Sequence, residues 1–362
     1  MNLTKSFTLI LLIKGRHEFT RRWLSYMKKI NFGHPIIIAD GQDDEETEKI
    51  IKEINNDQNL SIQYFRYNTH SGYHDYYKME SDVLDKVKTD LVMLCDNDDF
   101  IIPVGLSEQI IFLSKNPDYI SVSGRILNFE INNYDYSTYG DEVTFLNPCN
   151  YYRLDDPLED WKEHINSVFT KFQPNFYNVF QTKFRKLIAE EKVRLNFSDL
   201  VINEFYVQLR AASFGKSKIL DTTSHYLRQR GTSSISRNYD FSEDLLEKNM
   251  PEDVRKLATK IAEISSDQFN YSKDEIYSFI LSDFSKYLNH YLPRATLKYR
   301  FPKTYRLKCA IINFFIIKLK FFYNKKKFFF SNLVLRKIFS LSKSKMLSVE
   351  INFIKNFLKK KS

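Results

Sequence analysis

Residues 91–100 read Leu-Val-Met-Leu-Cys-Asp-Asn-Asp-Asp-Phe, five apolar or weakly polar side chains running straight into three carboxylates with a single Asn among them. An apolar run of that length with no alternation reads as a strand covered on both faces, the position of a strand in a parallel sheet beneath helices. The carboxylates then fall at the strand's C-terminal end, the edge where open α/β sheets bind ligands. Oxygen donors spaced Asp-x-Asp suit Mg²⁺ or Mn²⁺, hard cations that take carboxylates and keep positions for the phosphate oxygens of a substrate. A solvated turn uses the same residue types, since Asp and Asn are ordinary turn formers. What favours a site is the buried strand immediately before them.

The surrounding chain repeats the theme. Residues 7–13 and 35–39 are short apolar runs and 61–67 alternates, while 18–30, 43–54 and 71–87 carry helical spacing or helix-prone composition between them. This βαβαβαβ order predicts a parallel, doubly wound sheet. Beyond the acids, 104–114 reads as helix, 119–128 as strand, and 130–160 as an irregular Tyr-, Asn- and Asp-rich insertion. Residues 199–214 form a strong helical pattern closed by Gly215, followed by a strand at 218–220, then Asp221 and the run His225-Tyr226-Leu227-Arg228. From about 231 the character turns helical, with Ser272 and Glu275 as a capping box before a helix whose Ile276, Phe279, Ile280, Phe284, Tyr287, Leu288 and Tyr291 share one face. The expected organisation is an α/β domain over 1–230, a helical appendage over 231–297, and a distinct tail over 298–362.

Charge sets the tail apart. The chain is +9 overall, but 18 of its 54 bases and one of its 45 acids lie in 298–362, which makes that stretch +17 and the remainder −8. A uniformly basic nucleic-acid-binding domain is therefore not expected, and a mildly acidic body with a cationic segment is. Cys95, Cys149 and Cys309 are far apart and form no CxxC or Cys/His cluster, which speaks for a reducing compartment without disulfides or zinc. Residues 7–13 are too short and wrongly flanked for a secretion signal, and no apolar run reaches the roughly 18 residues of a membrane span. Lys interleaved with Ile and Phe between 311 and 341 fits an interfacial helix on anionic lipid; an RNA-binding arm or a helix docked on the body are the other readings.

Taken together, the first strand with Arg16 and His17 after it, the second strand ending in Asp40-Gly41, and Leu94-Cys95-Asp96-Asn97-Asp98-Asp99 resemble the nucleotide-sugar-binding half of a GT-A fold glycosyltransferase of the family-2 type. The resemblance covers roughly residues 7–228. It implies a Rossmann-like, mostly parallel sheet flanked by helices, here with a C-terminal helical extension. It also implies a divalent metal, Mn²⁺ or Mg²⁺, held by Asp98 with Asp96, and Asp99 in support. Asp96 would meet the ribose or metal-bound phosphate, Asp40 the nucleotide base, and Arg16 and Arg228 the donor, with His225 as a third metal ligand. Arg16-His17 stands where the family carries Thr-x-Asn-Arg. The helix Asn203-Glu204 to Arg210, with Gly215, matches a family segment in which Glu-Asp carries the catalytic base; here Glu204 takes that position, with Asp199 as the second candidate base or the helix N-cap.

An inverting transfer needs such a carboxylate to take the acceptor's hydroxyl proton while the cation neutralises the departing diphosphate. The expected partners are a nucleotide-sugar donor, a saccharide or lipid-linked acceptor in surface glycan synthesis, and an anionic membrane surface met by the tail, with no nucleic acid. The expected location is cytoplasmic, peripheral on the inner face of the membrane. A nucleotidyltransferase attacking at phosphorus, or a non-catalytic membrane-associated glycan-binding scaffold, are the alternatives.

Overall fold

In the computed structural model the described residues are 5–68, 72–131, 137–146, 161–170, 175–220, 224–230, 250–300 and 341–359. The expected parallel core is there. Strands β1 (Phe7–Ile13), β2 (Ile36–Asp40), β3 (Ile62–Arg66) and β4 (Leu91–Cys95) alternate with helices α1 (His17–Lys29), α2 (Glu46–Ile54) and α3 (Tyr73–Lys86). β1 pairs in parallel with β2 on one side and β4 on the other, Leu9 opposite Ile36 and Met93, so both neighbours finish at the same edge.

Every residue of β1, β2 and β4 is buried. The pleat divides them between two cores: Leu9, Leu11, Ile36, Ile38, Leu91 and Met93 belong to one cluster, Ile10, Leu12, Ile37, Ala39, Val92 and Leu94 to the other. Burial on both faces is why these strands read as unbroken apolar runs rather than as alternation.

Past the acids come a two-residue strand β5 (Phe100–Ile101), α4 (Pro103–Lys115), β6 (Tyr119–Gly124) and β7 (Leu127–Ile131). The single strand expected at 119–128 is thus two, and they belong to different sheets. β8 (Val143–Leu146) pairs antiparallel with β7, which gives part of the expected irregular insertion a regular structure; its residues 132–136 and 147–160 lie outside the described set. After α5 (Trp161–Thr170), β9 (Val179–Gln181), α6 (Thr182–Leu195), α7 (Leu200–Phe214), β10 (Lys216–Leu220) and β11 (Tyr226–Gln229), the main sheet has the order β10-β6-β9-β4-β1-β2-β3. β9 lies antiparallel between β4 and β6; the other pairings in this sheet are parallel. A second sheet, β5-β11-β7-β8, stands beside it. Because β5 begins one residue after Asp99 and pairs with β11, the smaller sheet delivers Arg228 and Gln229 to the acidic turn.

Helices α8 (Met250–Phe269) and α9 (Lys273–Arg300) extend the core cluster on the face of α3, α5, α6 and α7, with Leu257, Ile261, Ile276 and Ile280 fully buried. The expected capping box opens α9: Glu275 N–H donates to Ser272 Oγ at 3.2 Å and Ser272 N–H to Glu275 Oε2 at 2.9 Å. On the opposite face, α10 (Leu341–Leu358), from the basic stretch, docks on the body. Ile354 and Leu358 are fully buried, Phe357 meets Tyr26 and Phe100, and Val104 N–H in the first turn of α4 donates to Glu350 Oε1 at 3.2 Å. α4 has no side-chain cap of its own, so the last helix supplies one. Residues 301–340, which hold most of the Lys/Phe pattern, lie outside the described set. Among the described residues no helix is long and apolar enough to cross a membrane.

Candidate functional site

The three carboxylates converge where the strand pattern puts them. At the C-terminal end of β4, oxygens of Asp96, Asp98 and Asp99 lie within 4.8 Å of one another. Asp98 and Asp99 are buried and Asp96 is partly exposed. Burial and the neighbouring Asp98 carboxylate push Asp96 up to about 6 and Asp99 well above the usual carboxylate range. Like charges this close resist ionising together unless a cation joins them. Hard oxygen donors at one sheet edge fit Mg²⁺ or Mn²⁺ in type and in charge.

Arg16 faces this group. Gly15 and Arg16 have φ of 63° and 59°, two successive left-handed residues that end β1 in a tight turn. For Arg16, which has a side chain, that backbone costs of order 1–3 kcal/mol, the kind of strain that gathers at working sites. The turn brings Arg16 Nη2 to 2.9 Å from Asp98 Oδ2. Asn97 ties the same turn to α1, donating from Nδ2 to Thr20 Oγ1 at 2.9 Å.

Two residues that sequence reasoning passed over hold the acids in place. Arg22 is fully buried in α1, stacked on Phe19 and Phe100, and donates to the Asp98 carbonyl at 2.7 Å, Gln229 Oε1 at 2.7 Å and the Thr138 carbonyl at 2.8 Å. Burial lowers its pKa to about 10, so it stays a cation. Its signal was in the sequence: Phe19, Trp23 and Tyr26 mark the apolar face of α1, and Arg22 lies among them. Tyr177 donates its hydroxyl to Asp99 Oδ2 and also lies 3.0 Å from Asp96 Oδ2. No periodicity around it gave notice.

Glu204 is half-buried on α7. Burial pushes it up to about 7, against the pull of Arg228 and Lys192, while Asp199 adds to the rise. Arg228 on β11 also acts on Asp96 and Asp99, lowering both. A single guanidinium is therefore felt by the acidic turn and by Glu204. Asp199 is the N-cap of α7, its Oδ1 accepting from Ile202 N–H at 2.8 Å. Arg210, six residues beyond Glu204, is buried in a two-bond ion pair with Glu191 at 2.8 and 3.1 Å and stacks on Phe214, a structural role.

Two candidates are placed elsewhere. His225 is fully buried and does not join the carboxylate group: Gly124 N–H donates to Nδ1 at 3.3 Å, which leaves Nε2 to donate to the Tyr177 carbonyl at 2.6 Å. Both nitrogens are occupied by backbone, and burial lowers the pKa to about 4, so the ring is neutral. It is not offered as a metal ligand. Asp40 ends β2 fully buried, accepting from Gln42 N–H at 2.9 Å, in a group with Tyr64, His17 and Asp44 rather than with the acidic turn.

No family model matches the sequence, and no curated protein matches it. In fold the chain is similar to S. aureus TarS 1–349 in complex with UDP, with TM-score 0.50 and 14% identity over 80% of this chain and 72% of that one. The same fragment in complex with UDP-GlcNAc gives TM-score 0.48 at 13% identity, over 81% and 73%. A longer S. aureus TarS structure gives 0.49 at 14%, over 79% of this chain and 43% of that chain, so the present chain spans less than half its length. At such identities what is shared is the fold: a mixed α/β body with a mostly parallel sheet flanked by helices.

Proposed function

We propose that this chain is a nucleotide-sugar-dependent glycosyltransferase of the GT-A type, inverting and metal-dependent, which adds a sugar to a saccharide or lipid-linked acceptor in surface glycan synthesis. The observation that carries the reading is that oxygens of Asp96, Asp98 and Asp99 gather within 4.8 Å of one another at the carboxyl end of β4, with Arg16 on Asp98, while Glu204, pushed up to about 7 by burial, shares the influence of Arg228 with Asp96 and Asp99. A donor diphosphate by the first group and an acceptor hydroxyl by the second are what glycosyl transfer requires. The fold shared with a UDP-bound structure supports the same reading.

Asp96 and Asp98 would hold the metal, with Asp99 behind them; a bound Mn²⁺ or Mg²⁺ supplies charge neutralisation for the leaving diphosphate. Arg16 and Arg228 add fixed positive charge for the same oxygens. Asp40, at the end of β2, would meet the nucleotide base. Glu204, ionised, takes the proton of the acceptor hydroxyl as that oxygen bonds to the anomeric carbon and the bond from that carbon to the diphosphate oxygen breaks. The half-buried setting, with Asp199 adding to it, raises the basicity of Glu204. The basic, aromatic-rich residues between 298 and 340 would meet an anionic membrane, placing the enzyme at the cytoplasmic face where lipid-linked acceptors are reached.

The test is release of nucleoside diphosphate from a panel of nucleotide-sugars with and without Mn²⁺ and acceptor. We expect metal-dependent release that falls at least 100-fold in Asp98→Ala and in Glu204→Gln, on the scale of losing a cation site or a general base. Pyrophosphate release from a nucleoside triphosphate would instead establish nucleotidyl transfer, and full activity in both variants would remove these residues from the site.

A further inference from the structure

Tyr177 occupies a position that glycosyl transfer does not itself demand. It lies two residues before the start of β9, and its ring lies flat on Tyr226, centroids 4.1 Å apart and planes 15° from parallel. Phe176 packs edge-on against it at 5.0 Å. Its carbonyl is tied to His225 at 2.6 Å, and His225 in turn to the Gly124 N–H at 3.3 Å. The neutral imidazole is a strut between the end of β6, the start of β11 and the backbone of Tyr177. With ring and backbone both fixed, the hydroxyl has one place to be, between the carboxylates of Asp96 and Asp99.

One O–H can donate to one oxygen at a time, and here it serves Asp99 Oδ2. The other oxygen of Asp99 accepts the Gln229 N–H at 2.8 Å. Asp99 is thus gripped through both oxygens by β11 and Tyr177, whereas Asp96 meets Tyr177 through Oδ2 alone and Asp98 faces Arg16. Three carboxylates within 4.8 Å repel one another, and the hold on both oxygens of Asp99 fixes its orientation against that repulsion.

We propose that Tyr177 is a positioning residue for the cation site: by holding Asp99 it makes that carboxylate a support and leaves Asp96 and Asp98 as the ligands. The inference rests on the metal-dependent reading above and divides labour within it. Partners that orient metal ligands alter metal affinity by 10–100-fold when removed. Tyr177→Phe keeps the ring stack and the backbone bond to His225 and deletes only the hydroxyl.

The experiment titrates the full-length chain with Mn²⁺ alone and counts free ion by electron paramagnetic resonance, for the parent, Tyr177→Phe, Asp99→Asn and the double variant, beside their thermal unfolding without metal. We expect Tyr177→Phe to weaken Mn²⁺ binding 10- to 100-fold with an unfolding midpoint close to the parent's. The double variant should bind no more weakly than the weaker single one, because the two side chains act as a unit. Parent-like Mn²⁺ affinity in Tyr177→Phe, or losses that multiply in the double variant, overturn the assignment while leaving the metal site standing. A parent chain that binds no Mn²⁺ overturns the metal reading and this assignment with it.

Discussion

Glu204 is the residue whose environment makes the sharpest statement. Its charge is opposed by burial and by Asp199 at the start of its own helix, and favoured by Arg228 from β11 and Lys192 from α6. Tyr77 of α3 also lies within its field. If Glu204 is the base proposed above, it works only when ionised, so the rate at low substrate should climb with pH through about 7, tenfold per unit below it, and flatten above. The limb belongs to Glu204 if Glu204→Asp shifts it and Glu204→Gln abolishes it with the turnover; a limb left at the same pH in Glu204→Asp belongs to another group. At this scale the legible residues were those tied to a strong local pattern. Asp96 and Asp98 follow a buried strand, Asp199 caps a helix and Glu204 lies within that helix. Tyr177 and Gln229 owe their roles to a strand inserted from far along the chain, 78 residues separating Tyr177 from Asp99, and to a second sheet, and nothing adjacent to them in sequence encodes that. His225 shows the reverse failure: the family resemblance makes this lone His a third metal ligand, and the fold uses both its nitrogens as backbone ties.

Among the elements, α10 carries the clearest consequence. Charge alone makes its stretch part of a basic tail, yet Leu347, Ile351, Ile354 and Leu358 lie in the core cluster that also holds Tyr26, Phe100 and Leu106. Phe100 adjoins Asp99, and Phe357 packs edge-on against it at 6.1 Å, so the last helix backs the acidic turn. Ile354→Ala should destabilise by about 2–5 kcal/mol, read by denaturant unfolding. Deleting 341–362 should remove more than that and, on the metal-dependent reading proposed above, weaken Mn²⁺ binding as well; a truncated chain with parental stability would show α10 to be dispensable. The βα half of the fold was readable because each strand there is buried on both faces and each helix has one apolar side. β9 was missed because three residues, Val179, Phe180 and Gln181, are too few to show a period.

Over the whole molecule, charge is unevenly kept: +17 in 298–362 against −8 elsewhere. If the basic residues before α10 meet lipid, the full chain should co-sediment with phosphatidylglycerol vesicles at low salt and release as salt rises. Replacing Lys325, Lys326 and Lys327 by Gln should weaken binding at about 1 kcal/mol per cation. Binding to uncharged vesicles equal to that on anionic ones would remove the electrostatic reading. The place of β9 in the sheet has a different kind of consequence, in time rather than in energy. β4 and β6 are made early but are joined by a strand that ends at residue 181, and the other partner of β6, β10, comes later still, so during synthesis the sheet stops at β4 until β9 leaves the ribosome. At about 5–20 residues per second, the interval between completing β6 and completing β9 is on the order of several seconds, during which both facing edges are unpaired. The order of synthesis thus makes the joining of the sheet a late, long-range step, and the first complete acidic turn, with Tyr177 in place, can exist only after it.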